Sequence, residues 1–427
     1  MKIKILTFIA FALCMPCITS AQKLVKIGKG YSGTSINTTV FRNNSVVTHK
    51  NLQFACYYDS AGYVVLAKRK LGEQKWETRR SQYQGKIQDA HNVISMMIDG
   101  EGYIHIAFDH HGNPLNYCRS VAPLSLELSE KTSMLGVNEN KVTYPEFYLL
   151  SDGNLLFVYR TGSSGNGKMI MNYYSVKKRQ WERVQDVLID GENERNAYWQ
   201  LCVDKQGVIH VSWVWRETGS VDTNHDLCYA RSYDNGKTWQ KTNGEIYNLP
   251  ITANTAEYVC RIPQKSELIN QTSMSTDNEG NPFIATYWRS KDSLIPQYRL
   301  VYHDGKQWNV NQISNRKTAF TLKGSGTKMI PISRPRIVTD GKRGYYLFRD
   351  EERGSKVSVA ITNDIHSNQW TIQDLTEFSV NAWEPTYDTE LWKQKNQLHI
   401  FVQCTGQGDG GGSVNMHPQP IYILEFQ

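Results

Sequence analysis

The sequence lacks closely paired cysteines outside its first residues, and it lacks long runs of basic residues. Of its eight cysteines, Cys14 and Cys17 lie in the N-terminal leader. The others are scattered singly: Cys56, Cys118, Cys202, Cys228, Cys260 and Cys404. This spacing argues against a zinc site or a redox motif, and we expect buried free thiols. No lysine or arginine run resembles a nucleic-acid patch, so nucleic acid is not an expected partner.

Only one long hydrophobic run is present, and it lies at the N terminus. A short basic region precedes the apolar run from Ile5 to Leu13, and small residues up to Ala21 offer a cleavage site. This pattern is typical of a secretory signal peptide and is too short for a membrane span. We therefore predict a signal peptide over residues 1–21 and a single domain over residues 22–427. The chain is expected in the periplasm or outside the cell, as a monomer with no membrane span.

The sequence also has no Ser-His-Asp arrangement, no nucleotide-binding fingerprint and no convincing amphipathic helix. Short alternating strands separated by turn signals indicate an all-β protein. The net charge of +7, which falls when the two leader lysines are removed, suits an anionic ligand. Eleven tryptophans and 24 tyrosines suit either stacking on sugar rings or the core of a β-rich protein.

A turn containing Asp, Asn or Gly, followed by an apolar run, recurs along the chain. The copies span Tyr58–Leu66, Ile98–Ile106, Ser151–Tyr159, Val203–Val211, Thr276–Ile284, Thr339–Phe348 and Lys395–Phe401. Repeats of roughly 40–50 residues mark β-propellers. Ser232–Trp239 also matches the Asp-box, S-x-D-x-G-x-T-W, which is a fold signal. We predict a seven-bladed β-propeller, closed by pairing Ile421–Leu424 with Leu24–Ile27.

The densest group of reactive side chains flanks two consecutive hairpins. His91 and His111 flank one predicted hairpin, and Tyr144 and Arg160 flank the next. An arginine can neutralise a uronate carboxylate and acidify the adjacent carbon. A tyrosine or histidine can then move the proton, which is the chemistry of β-elimination. The alternatives are that the histidines brace a turn or hold a structural metal.

A second candidate is His49, at the end of the first blade's opening strand. A lone histidine in such a place is more often structural than catalytic. Further candidates for substrate binding are Trp215, Arg216, Arg334 and Arg336, since arginine forks match carboxylates and tryptophan stacks on sugars. Arginines that brace neighbouring blades are the equally plausible alternative.

At these residues the chain resembles known secreted propellers with BNR-type repeats. His91, His111, Tyr144 and Arg160 resemble the active site of the ulvan lyases of polysaccharide lyase families 24 and 25. That resemblance implies that His91 and Tyr144 share the acid and base work, that Arg160 neutralises the uronate and that His111 supports them.

Over the whole chain the sequence more closely resembles glycoside hydrolase family 145, whose members are exo-acting α-L-rhamnosidases. They remove rhamnose linked to glucuronic acid on arabinogalactan. The resemblance implies a site on the opposite face from the lyase-like one, centred on a single histidine, and His49 matches it.

Three hypotheses follow, in order of preference. The first is a secreted exo-α-L-rhamnosidase working through His49. The second is a lyase that cleaves rhamnose-glucuronate linkages through the other four residues, and the third is a non-catalytic glycan-binding propeller. All three predict an acidic polysaccharide containing rhamnose and glucuronic acid as the partner. No cofactor is expected, and a structural metal is left open.

Overall fold

Short alternating runs of apolar and polar residues build seven antiparallel sheets arranged as the blades of a β-propeller. The computed structural model describes residues 22–270 and 273–426, so the predicted signal peptide lies outside the described residues. The first strands of successive blades lie next to one another around the central channel. The predicted seven-bladed propeller is confirmed.

Most blades contain four strands, with the first strand next to the channel and the others placed successively further out. Blade 1 consists of β2 (Val46–His49), β3 (Leu52–Tyr58), β4 (Tyr63–Lys70) and β5 (Glu77–Gln84). Blade 2 has β6 (Ile94–Ile98), β7 (Ile104–Phe108) and β9 (Tyr117–Arg119). Blade 3 has β10 (Val142–Leu149), β11 (Leu155–Thr161), β12 (Lys168–Ser175) and β13 (Gln180–Gln185), with β8 (His111–Asn113) added at its inner edge. Blade 4 has β14 (Asn196–Val203), β15 (Ile209–Arg216), β16 (Asn224–Ser232) and β17 (Glu257–Cys260).

The remaining blades complete the ring. Blade 5 consists of β18 (Ser273–Thr276), β19 (Pro282–Trp288), β20 (Gln297–His303) and β21 (Trp308–Gln312). Blade 6 has β22 (Arg336–Thr339), β23 (Gly344–Phe348), β24 (Ser358–Thr362) and β25 (Thr371–Asp374). Blade 7 has β26 (Thr386–Tyr387), β27 (Leu398–Gln403), β28 (Gln419–Phe426) and β1 (Gln22–Gly30). Short 3₁₀ turns lie at Ser35–Asn37, Val40–Arg42, Val221–Thr223 and Glu351–Arg353.

The ring closes by pairing the two ends of the described chain, as predicted. In blade 7, β1 is the outermost strand and pairs antiparallel with β28, with Leu24 opposite Leu424 and Val25 opposite Ile423. Ile423 and Leu424 are fully buried, so the closing strand is held by apolar packing as well as by backbone hydrogen bonds.

Four of the repeated turns owe their shape to one aspartate each, at Asp59, Asp99, Asp204 and Asp277. Asp99 Oδ1 accepts the backbone N–H of Tyr103 at 2.9 Å, and its Oδ2 lies 3.1 Å from His105 Nε2. Asp204 does the same in blade 4, where its Oδ2 lies 3.0 Å from His210 Nε2. A carboxylate that accepts backbone N–H groups two and four residues ahead fixes a tight hairpin. This explains why the repeated phrase carries an aspartate followed by glycine.

The Asp-box of blade 4 also behaves as predicted. The Asp234 carboxylate accepts the backbone N–H of Thr238 at 2.9 Å, and the fully buried Trp239 donates its indole N–H to the carbonyl of Gly236. Its contribution is to turn geometry and packing. The six cysteines among the described residues are free, as predicted, but only Cys56, Cys118 and Cys228 are buried, and the other three are partly exposed.

One α-helix departs from the expectation of an all-strand chain. It is α1 (Thr389–Lys395), between β26 and β27, capped by the side chain of Asp388 and ended by Asn396 in the left-handed region. The turn predicted around Lys395 is therefore the end of this helix. Among the described helices, none has the length and apolar character that crossing a membrane would require.

Candidate active site

The two ends of the propeller carry different candidate residues. We call the end where β10 and β14 begin, at Val142 and Asn196, the His91 face, and the opposite end the His49 face. Pairing within blade 3 sets Thr143 opposite both Arg160 and His111, so these residues share the His91 face.

Asp89, His91 and His111 form a hydrogen-bonded group on the His91 face. His91 Nδ1 lies 2.7 Å from Asp89 Oδ1, and His111 Nδ1 lies 2.6 Å from Asp89 Oδ2. The two imidazole rings stack with centroids 4.1 Å apart. Because an ionised carboxylate only accepts hydrogen bonds, each Nδ1 carries a proton and a neutral ring keeps its lone pair on Nε2. Asp89 thus orients both rings for work as acid or base.

The two histidines differ in exposure and therefore in the roles open to them. The His91 side chain is 13% exposed and that of His111 is 44% exposed. Burial lowers the pKa of His91, and the hydrogen bond to Asp89 works against that shift. Burial also acts to raise the pKa of Asp89, but the hydrogen bonds from His111 and His91 outweigh it and hold the pKa below its ordinary value. His91 is therefore poised as a neutral base beside an ionised carboxylate.

Tyr144 lies next to this group in a strained backbone conformation. Its φ is 55°, in the left-handed region that a bulky residue rarely adopts, and the register of β10 against β11 shifts between Thr143 and Glu146. Its ring centroid is 5.9 Å from that of His91. Burial raises the pKa of Tyr144, so the phenol keeps its proton and can donate it. Backbone strain of this kind clusters at functional sites.

Arg160 lies over the Tyr144 ring, with its guanidinium carbon 5.0 Å from the ring centroid. Its Nε is buried and makes no hydrogen bond among the described residues. A buried donor without a partner is costly, and a ligand carboxylate would satisfy it. The four residues predicted from the two hairpins, His91, His111, Tyr144 and Arg160, therefore meet at one place.

Three residues at this site were not among the predicted site residues: Asp89, Phe41 and Tyr198. The ring of Phe41 lies 6.1 Å from His91 and 5.1 Å from Tyr144, so it forms an apolar wall. Tyr198 lies 6.0 Å from Tyr144. Burial acts to raise the pKa of Tyr198, but the charges of Arg160 and Arg216 outweigh it and lower the pKa overall. Tyr198 could have been found, because it occupies the same strand position in blade 4 as Tyr144 does in blade 3.

The predicted substrate-binding residues have separate locations. Arg216 lies over Tyr198 at 5.4 Å, on the His91 face. Arg334 is buried against the same face and forms a 2.5 Å ion pair with Glu384. Arg336 instead lines a cavity towards the His49 face and donates to the Asn43 side chain.

The prediction that Trp215 binds substrate is corrected by the fold. Trp215 is fully buried and packs edge to face against Trp213, with ring centroids 6.0 Å apart. Both faces of β15 are buried, so alternation along the sequence could not distinguish a core tryptophan from an exposed one. Trp215 is a core residue.

His49 lies on the opposite face from His91. It ends β2 and pairs with Leu52 across the first turn of blade 1. The side chain is half-buried, and burial together with the nearby Lys50 charge lowers its pKa, against the effect of Asp99. The cavity on this face is lined by Tyr148, Arg336, Tyr387 and Trp392 among others, and His49 is not part of its lining.

Asp89, His91 and His111 could also hold a metal ion, because one ligand atom from each lies within 4.8 Å of the others. The hydrogen bonds already described satisfy both Nδ1 atoms and both carboxylate oxygens.

Seven blades with a cluster of titratable groups at one mouth of the channel define a β-propeller of the kind that acts on, or binds, ligands at its axis. The chain belongs to the BNR repeat-containing family, whose sequence profile matches residues 52–316.

Two relatives among curated proteins are ulvan lyases of Alteromonas sp. (strain LOR). The short isoform is 27% identical over 240 residues, covering 51% of this chain and 44% of that protein. A second ulvan lyase is 25% identical over 264 residues, covering 52% of this chain and 53% of that protein. The chain thus spans about half the length of the curated relatives it matches.

Solved structures share the fold over nearly the whole chain. The polysaccharide lyase Uly1 superposes with a TM-score of 0.71 at 15% identity, covering 95% of this chain and 98% of that one. A PL25 ulvan lyase has a TM-score of 0.69 at 16% identity, covering 92% and 95%, and has also been solved bound to -[GlcA(1-4)Rha3S]-. At these identities the likeness shows the fold alone. The comparisons do not support the predicted rhamnosidase family, and the lyase alternative fits them better.

Proposed function

We propose that the protein is a polysaccharide lyase that cleaves a uronate-containing glycan by β-elimination at the His91 face. The observation that carries this proposal is the meeting of His91, Tyr144 and Arg160, with His91 oriented by Asp89. The relatives named ulvan lyases support a glycan built of rhamnose and glucuronic acid as the first substrate to test.

In the proposed reaction each step has its own residue. Arg160 binds the uronate carboxylate and neutralises its charge, which makes the proton at C5 more acidic. His91 Nε2, neutral because burial lowers its pKa, takes the C5 proton. The C5–H electrons form the C4–C5 double bond as the C4–O bond breaks. Tyr144, whose pKa burial raises, gives its proton to the departing oxygen. Two groups whose pKa values are pushed apart are suited to opposite acid and base roles.

The starting protonation states of Tyr144 and His91 must be restored after each turnover. His91 ends the step protonated and Tyr144 ends it ionised. His111 shares the Asp89 carboxylate with His91 and is partly open to solvent, so it offers a route for the proton to leave.

A second candidate function is the exo-α-L-rhamnosidase, favoured by one observation. His49 stands on its own face of the propeller, away from the lyase-like group, and that face has a cavity that His49 does not line. Two sites on opposite faces would act independently. The lyase is preferred because the His91 face supplies base, acid and carboxylate partner together.

A paired product assay separates the two functions. A glycan of alternating rhamnose and glucuronate, and a rhamnose-capped arabinogalactan, are incubated with wild type, His91→Ala and His49→Ala. The proposal predicts ultraviolet absorbance from an unsaturated uronate, lost in His91→Ala and kept in His49→Ala. Free rhamnose without absorbance, lost only in His49→Ala, would replace the lyase by the rhamnosidase. No product from either glycan would contradict both enzymes and favour a binding protein.

A further inference from the structure

A long connection between β21 and β22 lies over the His91 face. Near its start, the backbone N–H groups of Lys317 and Thr318 donate to the Glu352 carboxylate of blade 6 at 2.8 Å and 2.6 Å. Its next part, residues 323–329, we call the strap. The strap contacts loops from blades that are not neighbours in the ring.

One end of the strap is fixed to blade 4. The carbonyl of Gly324 accepts the backbone N–H of Val221 at 2.8 Å, and its own N–H donates to Ser220 Oγ at 2.8 Å. Hydrogen bonds in both directions at one residue fix its position on that loop.

The other end is fixed to the glycine-rich loop of blade 7. Lys328 Nζ forms a 2.7 Å ion pair with Asp409, and the same carboxylate accepts the backbone N–H of Met329 at 3.0 Å. The carbonyl of Thr327 accepts the N–H of Gly411 at 2.9 Å. Asp409 is therefore the residue that ties this end of the strap down.

Close backbone contact reinforces the tie. A Cβ added at Gly326 would lie 2.0 Å from the carbonyl oxygen of Gly410, and the φ of Gly326 is 76°. Both observations exclude a side chain at this position without movement of one loop. The strap and the blade 7 loop thus pack backbone to backbone.

The strap roofs a chamber next to the catalytic group. Gly326, Thr327 and Lys328 line the cavity whose other walls include His91 and Phe41. Thr327 Oγ1 lies 3.5 Å from His91 Nδ1. On this side of His91, a glycan chain would meet the strap. On the other side, the partly exposed His111 leaves the group open.

We propose that the strap makes the His91 site a chain-end site, so that the lyase removes short products from one end of the glycan. The roofed chamber takes the terminal sugar or sugars, and the remainder of the polymer leaves past His111. This inference rests on the proposed function. A glycan interior cannot pass through a cleft that is closed on one side, which is the physical basis of the specificity.

The test compares product sizes at matched ultraviolet absorbance. Wild type, Asp409→Ala and Gly326→Ala act on a rhamnose-glucuronate polymer, and products are separated by size. Wild type is expected to give short products of one size while the polymer mass stays high. Asp409→Ala releases Lys328 and Met329, and Gly326→Ala forces the strap from Gly410. Each is expected to shift the products to a ladder with an early loss of polymer mass.

Glu182→Ala is the matched control, because it breaks the exposed ion pair of Glu182 with Lys178 far from the strap. It should keep the wild-type product. A ladder from wild type at the earliest times, or single-size products from both strap variants, would overturn the inference while leaving the lyase intact. Absence of absorbance with wild type on polymer and on short oligosaccharides would instead remove the proposed function, and the inference with it.

Discussion

Blades 3 and 4 each carry a tyrosine and an arginine at equivalent positions. Tyr144 and Tyr198 are the third residues of β10 and β14, and each has an arginine from the neighbouring strand over its ring, at 5.0 Å and 5.4 Å. The repeat therefore supplies the same pair twice on the His91 face. What differs is the surroundings of each pair.

The backbone of blade 3 is distorted where that of blade 4 is regular. Pro145 follows Tyr144 and has no N–H to give to the ladder, and the β10–β11 register shifts there. Tyr144 takes a φ of 55°, whereas Tyr198 pairs with Val214 in an unbroken register. The distortion faces His91. The repeat thus gives both blades the same pair of side chains, and the backbone irregularity of blade 3 accompanies the contact of Tyr144 with His91.

The arginines differ in what they already bind. Arg216 donates to the carbonyls of Thr218 and Gly219. Arg160 makes a hydrogen bond to the Tyr198 side chain, and its buried Nε has no hydrogen bond in the described part of the chain. Arg160 is therefore the arginine with capacity left for a ligand carboxylate. The pKa of Tyr198 is lowered by both arginines despite burial, whereas burial keeps that of Tyr144 raised.

The largest expected effect comes from removing the phenol of blade 3. Tyr144→Phe should lower kcat by on the order of 10³, because a general acid typically contributes 10²–10⁴. Tyr198→Phe should lower it by about tenfold or less, since that phenol is not placed beside His91. Absorbance from unsaturated uronate measures both rates, and thermal melting checks that each variant folds. Equal losses in the two variants would mean that the blades share the acid role.

The second-largest expected effect distinguishes Arg160 from Arg216. Arg160→Lys should lower kcat/KM by on the order of 10², since one positioned donor to a developing charge contributes that much. Lysine keeps the charge but loses the planar fork that matches a carboxylate. Arg216→Lys should have a smaller effect, because its fork is used on Thr218 and Gly219. A larger loss from Arg216→Lys would move the carboxylate site to blade 4.

The third effect concerns pH. The active form of His91 is neutral, so the rate should fall as pH drops through its pKa, which lies below the ordinary histidine value of about 6.5. Asp89 raises the His91 pKa, so Asp89→Asn should move this acid limb to still lower pH and also reduce kcat by about tenfold through loss of ring orientation. His111→Asn is the control variant, because it leaves Asp89 in place. An acid limb at the same pH in Asp89→Asn would argue against His91 as the base.

The fold could be predicted almost completely from the sequence because each blade repeats a local signal. Asp99 and Asp204 build the same turn from the same hydrogen bonds, so a recurring aspartate before an apolar run marks a hairpin wherever it stands. The helix α1 escaped because it has only seven residues and buries Leu391 and Trp392, so its pattern is too short to show a period.

Of the site, the sequence could predict only which residues flank the same hairpin. A hairpin returns its chain, so Tyr144 and Arg160 could be expected to meet. The strand positions of Trp215 and Arg336 gave no indication of which way their side chains point, since both faces of these strands are buried. Phe41 comes from a 3₁₀ turn, and the strap comes from a connection without regular structure. Contacts of that kind depend on how distant segments pack.

The smallest expected effect is on stability, and it uses another pair of equivalent residues. Glu146 follows Tyr144 by two positions, and its counterpart in blade 4 is Gln200. Burial raises the pKa of Glu146 to about 8, while hydrogen bonding from Tyr148 works against the shift. The folded protein thus holds a proton on Glu146 between its unfolded pKa and about 8. The stabilisation is full below the unfolded pKa and is lost as pH rises through the folded pKa.

Glu146→Gln should therefore flatten the fall of Tm between about pH 5 and about pH 9. The mirror variant, Gln200→Glu, brings the same buried acid into blade 4 and should steepen that fall. Parallel Tm curves for wild type and Glu146→Gln would show that the carboxyl is ionised in the fold, and that blades 3 and 4 do not differ in this respect.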